Sequence, residues 1–214
     1  MSDDRFIDSL VQERRASFWT SNRLLVAAVV AALCVAAFCS YLFLGASSEA
    51  PSGSSVQPIF LLKIAFVLSI VFSALSIVRD LSSPGRRIGL PLLLIVAPFI
   101  VVGVLSMNEL LSGHAQTFVH STLHASITTC LWQIGLLALP AFAVLVVIVR
   151  TLAPVHLART GLYIGLLSGA IGAFGYAFHC HESFVSIVAI SYSLAIAQMG
   201  LLGSLLGPRL LRWS

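Results

Sequence analysis

Six long apolar runs, separated by short polar connections, constrain this chain more than any single motif does. They read as roughly Leu24–Leu44, Pro58–Val78, Ile88–Ser106, Ile127–Val149, Gly161–Phe178 and Phe184–Leu206. Each approaches the ~20 residues that cross ~30 Å of hydrocarbon at ~1.5 Å rise per residue. Helices are the form that fits, because an unpaired backbone amide in lipid costs several kcal/mol. A β-barrel would alternate polar and apolar residues, and these runs do not. With 58% of its 214 residues hydrophobic, 9% charged and a mean hydropathy of +1.01, a soluble domain of this length could not hide its apolar surface. The expectation is an all-α, polytopic membrane protein. A bundle of six transmembrane helices occupies residues 24–206, after a tail of residues 1–23 and before one of residues 207–214. "GASSEA" after the first run resembles a signal-peptidase site. The acids Asp3, Asp4, Asp8 and Glu13 ahead of it, and a run longer than a ~7–15-residue signal core, favour a retained helix.

Orientation follows from the basic residues. Arg5, Arg14, Arg15 and Arg23 precede the first run, Arg79, Arg86 and Arg87 lie around the second connection, Arg150 and Arg159 around the fourth, and Arg209 and Arg212 at the end. The first, third and fifth connections carry none. Such alternation predicts a multi-pass protein with its N- and C-termini and its even connections in the cytoplasm. Lys63, early in the second run, is the exception, and its long stem is expected to snorkel outward. Trp19 and Trp213 are expected at the inner interface, and Tyr41, Trp132 and Tyr176 near the outer one. The net charge of +4 thus reads as a topology signal, with no direct nucleic-acid binding implied.

On the side without arginines lies "HCHES", His179 to Ser183, in the fifth connection. Five of the six histidines (His114, His120, His124, His179 and His181) share that side with Glu109, Glu182, Cys130 and Cys180. Cys130 opens the fourth run and Cys180 closes the fifth, so the two meet if those helices pack side by side. The short Thr151–Thr160 connection favours that, as does the stripe Gly161, Gly165, Gly169, which permits close helix approach. A helix N-terminus beside Cys130 and the imidazoles beside Cys180 would favour thiolate, the form that reacts with oxidants and binds soft metals. Three readings stand open here: a static disulfide, a switchable redox or metal site, and unpaired thiols. His120 and His124, at i and i+4, share a face if helical, and with His179, His181 and Glu182 they are candidate accessory ligands. No C-x₂-C zinc signature accompanies them. The cofactor expectation is none, save a soft metal ion at Cys130 and Cys180. Cys34 and Cys39 fall ~140° apart on a helix and read as buried small hydrophobes.

The spans offer little for catalysis or transport. Lys63, Gln133 and Gln198 are their main polar residues, with no acid at mid-membrane for proton coupling, no H-E-x-x-H, no paired nucleophile and base, and no evident inverted repeat. The chain reads as a non-enzyme. Its N-terminal tail "DDRFIDSLVQERR" does carry a surface: Phe6, Ile7, Leu10 and Val11 fall on one helical arc, with Asp4, Asp8 and Glu13 outside it. That stripe suits either the inner leaflet or a protein partner.

"DRFIDSLVQERR", the Leu139–Pro140 pair after Cys130, "GAIGAFGYAFHCHES" and the terminal "LLGPRLLRW" together resemble the NrsF-like family over essentially the whole chain. The resemblance implies a six-span inner-membrane anti-sigma factor that holds a sigma factor of the extracytoplasmic-function class until an outer-side stress signal arrives. It implies a sensing role for Cys130 and Cys180, in redox or metal stress. The cytoplasmic connections, roughly ten residues each, offer little apolar surface, so the stripe Phe6, Ile7, Leu10 and Val11 is the expected contact for the sigma factor. The chain departs from the family pattern at His181, where proline is expected, and at Ser191, where an aromatic residue is expected before Tyr192. The alternative on residue chemistry alone is a small metal-handling or transport membrane protein with a His/Cys-rich periplasmic face.

Overall fold

Runs rich in Leu, Val, Ile, Ala and Phe fold as helices wherever the described chain is apolar, even across Pro98, Pro140 and the glycines. The computed structural model describes residues 23–43, 58–81, 89–109, 111–112, 123–151, 156–179 and 185–212. Among these there is no strand and there are six long helices: α1 (Arg23–Phe43), α2 (Pro58–Leu81), α3 (Gly89–Glu109), α4 (Leu123–Arg150), α5 (Leu157–Ala177) and α6 (Val185–Leu210). Five of them, all but α3, are long and apolar enough to cross a membrane; α3 contributes the apolar stretch Leu93–Glu109. The fold is all-α, as its hydropathy predicts. Helices α4 and α6 overrun the expected apolar windows, α4 starting at Leu123 and α6 ending at Leu210. Polar residues at these ends continue the backbone hydrogen bonding, which hydropathy alone does not register.

Successive contacts fix an antiparallel arrangement. Phe66 of α2 meets Phe99 of α3 edge to face at 5.5 Å, and the Ser73 hydroxyl donates to Leu94 O at 3.1 Å. Phe60 at the start of α2 meets Phe178, just beyond α5, at 5.8 Å. The start of α6 meets the end of α3 through Ser186 and Ser106. One end of the bundle therefore gathers Arg79, Arg150, Arg159 and Arg209, and the other gathers Glu109 and His179; they are called here the arginine end and the histidine end. At the arginine end the Arg150 guanidinium reaches Arg212 O at 3.4 Å.

Helices α5 and α6 form the centre. Helix α5 packs on α6, α4 and α2, while α6 packs on α5, α4 and α3. Their apolar windows are 61% and 56% buried, against 33% for α4 and 22% for α1, so the outer helices present their side chains outward. Phe43, Phe72, Val147 and Leu205 are among the large apolar residues left exposed, as lipid-facing positions would be. Helix α5 is also the least apolar of the five spans, with a mean hydropathy of 1.3 against 2.5 for α1 and α2.

The glycine stripe of α5 faces a different partner from the one its sequence suggests. A Cβ on Gly161 would strike Gly203 O and lie 2.8 Å from Gly207 Cα; one on Gly165 would strike Met199 O and lie 2.9 Å from Gly200 Cα. The stripe thus meets α6, which supplies matching glycines, and backbone rests on backbone. Helix α4 has no such face, since its Gly135 has nothing within 4 Å of a built Cβ. Contact with α4 falls instead to Gly172, whose Cβ would lie 2.6 Å from Ile134 O and 2.8 Å from Ala138 N.

Lys63 also departs from expectation. It is only 4% exposed, pointing into the bundle and not outward. Its helical position explains this, because Lys63 shares a face with Phe66, Val67, Ile70, Ala74 and Ile77, all buried.

Candidate signalling site at the histidine end

Helices α4 and α5 bring Cys130 into a closed aromatic setting. Cys130 is 3% exposed, and its Sγ lies 3.2 Å from the Tyr176 hydroxyl, within hydrogen-bond distance. Tyr176 is itself buried on α5. Its ring stands 6.2 Å from that of Tyr192 on α6 and 6.0 Å from the imidazole of His179. The amide of His179 donates to Tyr176 O at 2.9 Å, which turns the chain out of α5 directly above the tyrosine. Phe174 and Phe178 stack edge to face at 5.2 Å beside it, and Phe178 continues the contact to Phe60 of α2. One thiol is thereby connected through a single phenol to α5, α6 and the turn that follows α5.

Such an arrangement makes the thiol a sensitive position. A sulfur packed against a phenol has no spare volume, because interiors are filled to the density of organic crystals. A group added to Cys130, or a new bond drawn from it, competes with its contact to Tyr176. Tyr176 in turn cannot move without disturbing Tyr192, which is fully buried. The helix-terminus argument for a reactive Cys130 does not hold, however. Helix α4 begins at Leu123, so Cys130 lies two turns inside it, beyond the terminal turn where the dipole acts. The local feature that singles out this thiol is its contact with Tyr176.

The remaining expected site residues divide by position. His179 joins the cluster through its ring contact with Tyr176. His124 falls in the first turn of α4, whereas Cys180, His114, His120, His181 and Glu182 lie outside the described residues. Among the described residues no group of three His, Cys, Asp or Glu side chains comes together to hold a metal ion. Phe6, Ile7, Leu10 and Val11 of the tail also lie outside the described residues. Cys34 is exposed on α1 and Cys39 half-buried, so neither is the fully buried small hydrophobe that its apolar surroundings in sequence suggest. A peripheral helix such as α1 turns much of its surface away from the bundle.

Two participants escape a reading of the sequence by motif. Tyr176 looks like an interfacial aromatic but acts as the partner of Cys130; its place in "YAFHC", four residues before Cys180, is the signal that points to it. Glu109, the lone acid of α3, has both carboxylate oxygens engaged at the start of α6. The amide of Val185 donates to Oε1 at 3.2 Å, and the amide and hydroxyl of Ser186 donate to Oε2 at 2.7 and 2.6 Å. A lone acid closing a long apolar helix is a legible sign of a polar contact inside the bundle.

Comparison with known proteins places this geometry in context. The family model described as "NrsF: Negative regulator of sigma F" matches residues 11–213. A protein of Azospira oryzae named "Probable anti-sigma-F factor NrsF" is 30% identical over 165 residues, covering 73% of each chain. The "Anti-sigma-F factor NrsF" of Caulobacter vibrioides is 36% identical over 85 residues, covering 40% of each chain. No solved structure matches.

Proposed function

The chain belongs to the NrsF family of negative regulators of sigma F, and from that premise we propose that it is an inner-membrane anti-sigma factor released by thiol chemistry at its histidine end. In this reading the arginine end faces the cytoplasm, where a sigma factor of the extracytoplasmic-function class is held away from RNA polymerase. The histidine end faces the periplasm. Oxidation of Cys130 and Cys180, in which two thiols yield two protons and two electrons to an envelope oxidant and join as a disulfide, frees the partner; binding of a soft metal by the two thiolates would act in the same direction. Family membership favours this over the metal-handling alternative.

The observation that carries the reading is the contact of Cys130 Sγ with the Tyr176 hydroxyl at 3.2 Å. It gives a chemical event at one sulfur a mechanical route into α5 and, through Tyr192, into α6. Packed helices switch between discrete arrangements that differ by a few kcal/mol. Moving such an equilibrium from 1:99 to 99:1 takes about 5.5 kcal/mol of differential free energy. A disulfide contributes ~2–4 kcal/mol, and a soft-metal bond is of similar or larger size, so either drives a large part of the change.

The test is inducibility. With the thiol oxidant diamide as probe, Cys130→Ser and Cys180→Ser should each cut the induction of a target promoter by at least ~5-fold, while basal repression and membrane amount stay at parental levels. Full induction in the double variant would remove the cysteines from the mechanism. Orientation has its own check. An impermeant maleimide added to intact spheroplasts should modify Cys180 after reduction, and labelling that requires a broken membrane would invert the topology.

A further inference from the structure

We infer that Glu109 is a positioning residue: it pins the start of α6 to the end of α3 and thereby sets how readily the histidine end of the bundle opens. The inference rests on the reading of that end as the sensing end.

The first amides of a helix have no acceptor within it, and the first turn of α6 contains no acid of its own. Its cap comes from another helix. Glu109 spans the two leading amides, Oε1 taking Val185 N–H at 3.2 Å and Oε2 taking Ser186 N–H at 2.7 Å. The Ser186 hydroxyl adds a third contact to Oε2 at 2.6 Å and lies 3.2 Å from Ser106 O on the preceding turn of α3. A carboxylate at a helix N-terminus gains from both charge-assisted hydrogen bonds and the field of aligned peptides. It is half-buried here, so water competes poorly for the same amides.

Position gives the contact its consequence. Val185 stands five residues after Cys180 in sequence, directly following "HCHESF". Further along α6, Tyr192 meets Tyr176, and Tyr176 meets Cys130. Helix α3 packs on α6 and α2, and Glu109 bonds to Val185 and Ser186, not to the Cys130–Tyr176 pair. Glu109 is therefore an anchor lying off the line from thiol to bundle, and it resists any swing of the start of α6. Loosening it should make the end of the bundle open more often, expose Cys130 and lower the stimulus needed for release.

The experiment uses the full chain in membrane vesicles, with Cys34, Cys39 and Cys180 changed to serine so that Cys130 is the sole thiol. Modification by a polyethylene glycol maleimide reports opening as a gel shift. Glu109→Ala should speed labelling by about tenfold, the scale expected for losing charge-assisted bonds at one site. Glu109→Gln should fall between, since an amide keeps one acceptor oxygen but turns an NH₂ group toward the helix amides. Ser186→Ala should move the rate less and in the same direction. In the chain with all four cysteines, Glu109→Gln should lower the diamide concentration for half-maximal induction and raise uninduced target transcription at unchanged membrane amount. If Glu109→Ala is lost from the membrane, Glu109→Gln decides. Labelling rates within about twofold of the parent for Glu109→Gln would overturn the inference, because that is less than one hydrogen bond is worth. Faster labelling with an unmoved induction threshold would overturn it too, reducing Glu109 to a structural cap. Failure of the sensing reading looks different: full induction of the cysteine double variant, with the labelling rates unaffected.

Discussion

Gly165→Leu is expected to deplete the protein from the membrane, with a loss of at least ~3 kcal/mol in the stability of the bundle. The reason is geometric. Even the first added carbon strikes Met199 O and lies 2.9 Å from Gly200 Cα, so the obstruction is main chain, which has no rotamer by which to yield. Leucine would add further atoms to the same contact and force α5 and α6 apart over their whole shared length. Gly103→Leu is the matched control. Gly103 sits in α3 with nothing within 4 Å of a built Cβ, so the same change there should cost less than ~0.5 kcal/mol. Immunoblots of membrane fractions and thermal unfolding in detergent micelles would measure both. Equal amounts and equal midpoints for the two variants would show that the α5–α6 contact is more accommodating than its distances imply.

The second large effect is expected at the other end of the chain. Leu10→Asp should free the sigma factor and raise target transcription toward the level of a strain lacking this protein. Residues Phe6, Ile7, Leu10 and Val11 make the longest contiguous apolar stripe available in the cytoplasm on the proposed topology. Side chains of that kind are worth ~1.5–3 kcal/mol each when buried, so a few of them support a modest contact. Tethering to the membrane then raises its effective strength. A carboxylate in the middle of the stripe removes one apolar contact and adds an unpaired charge to a dry interface, which multiplies the loss. Reporter activity and co-purification of the sigma factor, measured at equal membrane amount, decide the matter. A variant that still represses and still co-purifies its partner would move the docking surface elsewhere and leave the tail as a helix lying on the inner leaflet.

How far the molecule was legible in its residues differs from place to place, for physical reasons. Helix number and class were open to reading because hydrocarbon imposes one rule on every span, and runs such as Pro58–Leu81 obey it plainly. The partners of each helix were harder. Gly161 and Gly165 announce a close approach, but only the reciprocal glycines Gly200, Gly203 and Gly207 identify α6 as the helix approached. Lys63 misled because charge suggests the surface, whereas its spacing from Val67 and Ile70 assigns it to the inner face of α2. At the candidate site Cys130 could be singled out as a chemical type. Its link to Tyr176 spans forty-six positions and arises only when α4 and α5 pack together. Glu109 and Ser186 are farther apart still, and no local pattern joins them.

The close seam between α5 and α6 also bears on how such a protein is made. With a mean hydropathy of 1.3, α5 has the weakest claim on lipid among the five spans, and its glycines leave little side chain to shield the backbone. Helix α6, at 1.8, offers a surface shaped to that deficit. During synthesis α5 leaves the ribosome first and must wait for the residues that cover it. The two are thus best inserted as one hairpin. A nascent chain interrupted before Met199 and Gly203 would hold an ill-protected segment at the translocon, open to quality-control proteases.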